Sequence, residues 1–213
     1  MSSKIAEWII RIPVLLFAIT IHEYAHGKAA LSLGDPTAKN AGRLTMNPIS
    51  HIDPIGAICL FLFNFGWAKP VPVDVRYFKN TRKDIVIMAL SGPIANIGVA
   101  FITGIFIRNF LLPYEVYLKI LVYLILMNTG LGVFNLLPIP PLDGSHVLEN
   151  ILPPSASIRY RRLRRHAPFI FIGILLLDRF LNIGIISKLF LYPILHIAHL
   201  FGGDNFFRLI GIM

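Results

Sequence analysis

Near the start of a 213-residue chain, Thr20-Ile21-His22-Glu23-Tyr24-Ala25-His26-Gly27 carries an H-E-x-x-H spacing. On a helix, His22 and His26 lie one turn apart on the same face, so both imidazoles can reach one metal ion. Glu23 stands beside the first of them, where a carboxylate can take a proton from a metal-activated water. Zn²⁺ is the default metal for two imidazoles and a carboxylate with an open position. The bland alternative is two helix-face histidines and a surface glutamate. It is weakened by the apolar run from Ile12 to Ile21, interrupted by Pro13, that leads into the motif. An acidic side chain near mid-bilayer costs roughly 2.5–3.5 kcal/mol on insertion scales, so it calls for a partner or a purpose.

A catalytic zinc normally has three protein ligands and one exchangeable water. Beyond the first motif the candidates are His51, Asp53, Asp74, Asp143, His146, His166, His196 and His199. Asp143 ranks first. It sits where an apolar segment is broken by Pro138, Pro140 and Pro141 and closed by Gly144. Such a break is costly in a membrane unless the backbone positions something. A turn or helix-capping aspartate is the ordinary alternative. His146 is close enough for a supporting role. His196 and His199 have no acid beside them and read as packing or interfacial residues.

The elements that must position these groups are mostly apolar. A first helix is expected from Ile5 to Leu33, ending at Gly34-Asp35-Pro36. The polar stretch 39–48 and His51-Ile52-Asp53-Pro54 follow. The apolar piece Ile55 to Trp67 is too short to cross comfortably and reads as re-entrant or interfacial. Residues 70–75, with Pro70 and Pro72, suggest an extended edge segment. Asp84 to Leu112 is the second crossing and Lys119 to Leu137, containing Asn128 and Asn135, the third. Residues 145–152 suit a short helix and Pro168 to Phe201 a helical hairpin. There is no internal repeat, and residues 1–213 read as one integral-membrane domain.

Composition agrees. Hydrophobic residues make up 55% and charged residues 15%, with a mean hydropathy of +0.69, against roughly 25% charged in a globular domain. The length allows about five or six membrane segments. The expected class is therefore a membrane all-α helical bundle of that size with a re-entrant loop or small sheet. The lone Cys59 excludes an intramolecular disulfide and reads as a packing residue. A net charge of +9 raises nucleic acid as a partner, but no aromatic-interleaved basic face is present. The basic residues sit between apolar spans instead. Loops 34–83 and 145–168 hold seven and five Lys/Arg. Lys4, Arg11, Arg108, Lys119, Arg179 and Lys188 fall on the other side. The positive-inside rule then makes this a multi-pass cell-membrane protein with the N-terminus outside. His22, His26 and Asp143 share the cytoplasmic level.

Three stretches in order resemble the site-2 protease family of intramembrane zinc metalloproteases, peptidase family M50. They are His22-Glu23-Tyr24-Ala25-His26-Gly27, Ser91-Gly92-Pro93-Ile94-Ala95-Asn96, and Asn135-Leu136-Leu137-Pro138-Ile139-Pro140-Pro141-Leu142-Asp143-Gly144. Gly42 to Pro48 and His51 to Pro54 resemble a loop of the family's short prokaryotic branch. The resemblance implies one zinc per chain held by His22, His26 and Asp143, with Glu23 as general base. It also implies cleavage of a transmembrane substrate within the bilayer and a membrane-embedded sheet or loop over residues 40–75. Asn96 matches an asparagine facing the cleft, and Asn135 falls within the third motif. With His51, these two are candidates for substrate binding or for stabilising the oxyanion. No PDZ or CBS module is recognised, and a crossing ahead of the first helix, found in some members, is not expected here. An unwound substrate could add to residues 70–75 as a strand. The rival readings are a metal or proton transporter and a non-catalytic scaffold. The few acidic groups inside the spans count against the first, and the presence of Glu23 and every ligand against the second.

Overall fold

The structure is a computed structural model that describes residues 2–63, 66–164, 166–167, 173, 177–178, 181, 184 and 187–212. Along the chain the α-helices are α1 (Ser2–Ser32), α2 (Thr37–Asn40), α3 (Pro54–Phe63), α4 (Thr81–Asn109) and α5 (Glu115–Asn135). They continue with α6 (Asp143–Ile151), α7 (Pro154–Arg164), α8 (Tyr192–Gly202) and α9 (Asp204–Ile212). Short 3-10 turns occupy Pro48–His51 and Val75–Tyr77, and a π turn, Ser187–Leu191, leads into α8.

Among the described residues, three helices have the length and apolarity to cross a membrane: Glu7–Ser32 of α1, all of α4 and all of α5. The chain is thus a multi-pass, all-α membrane protein, and these three helices pack on one another. The expected crossings are present with small shifts at their ends. Helix α4 starts three residues before Asp84 because the Asp84 carboxylate accepts from the Asn80 N–H at 2.8 Å, fastening the first turn. Helix α5 starts at Glu115, whose carboxylate pairs with Lys119 one turn on.

Small residues set the helix spacing. A Cβ at Gly104 would lie 2.6 Å from the backbone of Phe201, so α8 rests directly on α4. Around that contact Ala100, Ile107, Leu121, Val122, Ile125, Ala198, Phe206 and Leu209 form a buried apolar cluster. It lies toward the Asn109 end of α4. The expected hairpin over 168–201 lies largely outside the described residues; its described end is α8.

The region between α1 and α4 is a loop and not a sheet. Among the described residues there is no strand, and Ile52 and Ala68 form an isolated antiparallel bridge. The Lys69 N–H donates to the His51 carbonyl at 2.9 Å. At Gly56 a Cβ would meet the backbone of Trp67, so the two ends of the segment carrying α3 lie side by side. Residues 70–75 do not form an edge strand. Pro70 and Pro72 have no N–H, and the N–H groups of Val71 and Asp74 donate to side-chain carboxylates on α1 and just beyond it. Those acceptors are Glu23 Oε2 at 2.9 Å and Asp35 Oδ2 at 2.8 Å. The segment is a strap laid along α1.

Both loops that matter for the site emerge at the same end of the bundle. The Arg82 guanidinium donates to the Leu152 carbonyl, and α6 packs against α4.

Candidate metal centre

Helix α1 presents His22 and His26 inward, each 7% exposed. Their Nε2 atoms lie 3.0 Å apart, with the rings edge to face. Asp143 reaches them from the first turn of α6. Its Oδ2 lies 3.1 Å from His22 Nε2 and 3.3 Å from His26 Nε2. Among the described residues these three form the group of His, Cys, Asp or Glu side chains able to hold a metal ion.

The break before Asp143 is what aims it. Leu142 N–H donates to the Ile139 carbonyl at 2.9 Å, and the Leu142 carbonyl accepts from both Ser145 N–H and Ser145 Oγ. The Pro140–Pro141 peptide is cis. At Gly144 a Cβ would run into the Leu136 and Leu137 carbonyls, so only glycine lets α6 start this close to the end of α5.

The donor set fits a metal ion. His26 Nδ1 faces the Met88 carbonyl at 2.8 Å, and His22 Nδ1 faces Asn96 Oδ1 at 2.6 Å. Both oxygens only accept, so each Nδ1 carries the proton and each Nε2 turns a lone pair inward. Two lone pairs and a carboxylate oxygen then face one another, an arrangement that repels unless a cation sits among them. Their 3.0–3.3 Å separations match ligands about 2.0–2.1 Å from one zinc, which stand roughly 3.3 Å apart in a tetrahedron. Gly92 keeps the space open. A Cβ there would fall on His26 Nε2 and lie 2.8 Å from His22 Nε2.

Glu23, next to His22, is half-buried and its Oε2 holds the Val71 N–H of the strap. Asn96 is fully buried. Its oxygen faces His22, and its nitrogen donates to the Ala18 carbonyl and Asn128 Oδ1, each at 2.9 Å. Both of its hydrogens are thereby used, leaving none for an oxyanion in this arrangement. His51 is buried, and its Nε2 faces the Thr45 carbonyl at 2.9 Å while Nδ1 has no partner. With Nε2–H donating, a neutral His51 has only an acceptor to spare. Asn135 closes α5, and its nitrogen donates to the Leu131 carbonyl at 3.0 Å, which leaves one N–H.

Asp53, Asp74 and His199 are engaged in other contacts. Asp53 caps α3 through the Gly56 N–H at 2.8 Å. Arg76 hydrogen-bonds and pairs with Asp74, lowering that carboxyl to about 2. His199 faces Asp204 at 3.3 Å on the α8–α9 corner. Sequence reasoning did not assign the Met88 carbonyl or the Asn128 side chain to the site. Asn128 had a signal: a primary amide inside an apolar span needs a partner. A backbone carbonyl has none.

The family model described as peptidase family M50 matches residues 112–177, a stretch that contains Asp143. YwhC of Bacillus subtilis (strain 168), whose name assigns it provisionally as a zinc metalloprotease, is 37% identical over 167 residues. That alignment covers 74% of this chain and 76% of the relative. Two proteins named Rip2, with the same provisional description, are each 29% identical. One is from Mycolicibacterium smegmatis (84% of this chain and 71% of the relative) and the other from Mycobacterium tuberculosis H37Rv (82% and 70%). No solved structure matches the chain.

Proposed function

The chain belongs to peptidase family M50 and is a metalloprotease; from that premise we propose that it cleaves transmembrane proteins with one zinc held by His22, His26 and Asp143. The observation that carries this reading is the convergence of His22 Nε2, His26 Nε2 and Asp143 Oδ2 at 3.0–3.3 Å. Zinc bound there would supply Lewis acidity, polarising an oxygen and lowering the pKa of water.

The side chains do the rest. Glu23 takes the proton of the attacking water and later returns it to the leaving amine. The Val71 N–H steadies one carboxylate oxygen at 2.9 Å, leaving the other for the proton. Asn96 acts by orienting His22. For the oxyanion, Asn135 keeps one N–H free, whereas His51 would serve only as an imidazolium. A transmembrane helix must unwind before its carbonyls can be attacked. Residues 70–73 then offer an unwound chain the Pro70 and Pro72 carbonyls as acceptors and no N–H from those residues. The site faces the cytoplasm of a cell membrane and the N-terminus lies outside, by the loop charges.

The test is cleavage of a single-span substrate by purified protein in detergent, with zinc content measured on wild type and Glu23→Gln. The expected result is cleavage by wild type only, at about one zinc per chain in both proteins and a rate loss of roughly 10²–10⁴-fold or more in the variant. Equal cleavage by both would remove Glu23 from the mechanism, and absence of zinc from both would dismantle the site.

A further inference from the structure

We propose that Asn128 is a positioning residue: acting through Asn96, it decides which nitrogen of His22 carries the proton, and so keeps a lone pair on the Nε2 that faces the metal cluster. The inference rests on the zinc reading above.

The two histidines are held differently. His26 Nδ1 donates to the Met88 backbone carbonyl, and a backbone carbonyl cannot present a donor. His22 Nδ1 meets the side-chain amide of Asn96. The two ends of an amide are nearly the same size, so rotation by half a turn would put NH₂ where the oxygen stands. In that state His22 would have to accept at Nδ1 and carry its proton on Nε2, pointing an N–H into the cluster where a lone pair is required.

Asn128 opposes that rotation. Its Nδ2 donates to the Leu124 carbonyl at 2.9 Å, so its Oδ1 is the end that faces Asn96. That oxygen accepts one hydrogen of the Asn96 amide, and the Ala18 carbonyl accepts the other. Turning the Asn96 amide over would set oxygen against oxygen at both contacts. Asn96 and Asn128 are both fully buried, so water cannot repair either mismatch. A polarity is thus handed from the α5 backbone to Asn128, across to Asn96 on α4, and on to His22 on α1.

The test is zinc affinity by chelator competition on the purified full-length protein. The set is wild type, Asn128→Leu, Asn96→Leu, the double variant and Asn128→Asp. Melting temperature reports folding, and the visible spectrum of the Co²⁺-loaded forms reports ligand geometry. Asn128→Leu should weaken zinc about 10–100-fold, the range for partners of ligating histidines, and alter the Co²⁺ bands. The double variant should bind no more weakly than Asn96→Leu, because Asn128 acts only through Asn96. Asn128→Asp should bind as wild type does, since a protonated carboxyl can donate to Leu124 and accept from Asn96. Unchanged zinc affinity in Asn128→Leu overturns the relay alone, as do independent, additive losses in the double variant or failure of Asn128→Asp to rescue. Failure of wild type to hold zinc overturns both the relay and the metal centre.

Discussion

Gly92 contributes to the site by having no side chain. The nearest atoms to a Cβ at this position are Nε2 of His26 and the Cε1 and Nε2 of His22, so Gly92→Ala should displace both rings. The expected outcome is zinc binding at least tenfold weaker, measured as metal content after dialysis against a chelator. Val71 offers a subtler test, since its N–H is the donor to Glu23. Val71→Pro removes that hydrogen between two existing prolines. It should lower kcat about tenfold through loss of one charge-assisted hydrogen bond while zinc content stays at the wild-type level. A fall in zinc would mean the strap supports the ligands as well.

At the scale of elements, α4 serves two jobs along one length. Gly92 lies against α1 at the site, and Gly104, roughly 18 Å further along the helix, lies against α8. Gly104→Ala should therefore separate stability from chemistry. It crowds the Phe201 backbone and lowers stability by about 1–3 kcal/mol, read as melting temperature in detergent, with zinc affinity unchanged. The strap has its own electrostatics. Asp74, held down to about 2 by hydrogen bonds from Arg76, is depressed when folded. Its contribution is present above an unfolded pKa of about 3.9 and lost as pH falls toward 2. The difference in melting temperature between wild type and Arg76→Gln should accordingly be flat between about pH 5 and 8. A difference that varied across that range would point to another titrating partner.

For the whole molecule, the long helices place the loops 34–80 and 136–153 at one end and the α4–α5 connection at the other. This follows from helix direction and from the Arg82–Leu152 contact across the two loops. In a Cys59→Ser background, Lys79→Cys and Ser155→Cys should react with an impermeant thiol reagent from the same side of sealed vesicles, and Tyr114→Cys from the opposite side. From the positive-inside balance, the Lys79 side is expected to be the cytoplasmic one. Labelling of Lys79→Cys and Tyr114→Cys from one side would break the three-crossing topology.

Much of this protein is legible in one dimension because its strongest constraints are local. A bilayer demands long apolar helices, so α1, α4 and α5 can be read from hydropathy to within a few residues. The i, i+4 spacing of His22 and His26 is likewise a property of any helix, and the proline-broken turn makes Asp143 the leading third ligand before any contact is known. What the sequence could not decide is pairing between helices. Nothing local tells Asn96 to face His22 or hands Asn128 the task of holding it, and residues 70–75 read as an edge strand when taken alone. Their N–H groups instead satisfy Glu23 and Asp35, 48 and 39 residues away. Hydrogen-bond polarity between buried side chains depends on which atoms the packed helices bring within about 3 Å of one another, and only the tertiary structure contains that information.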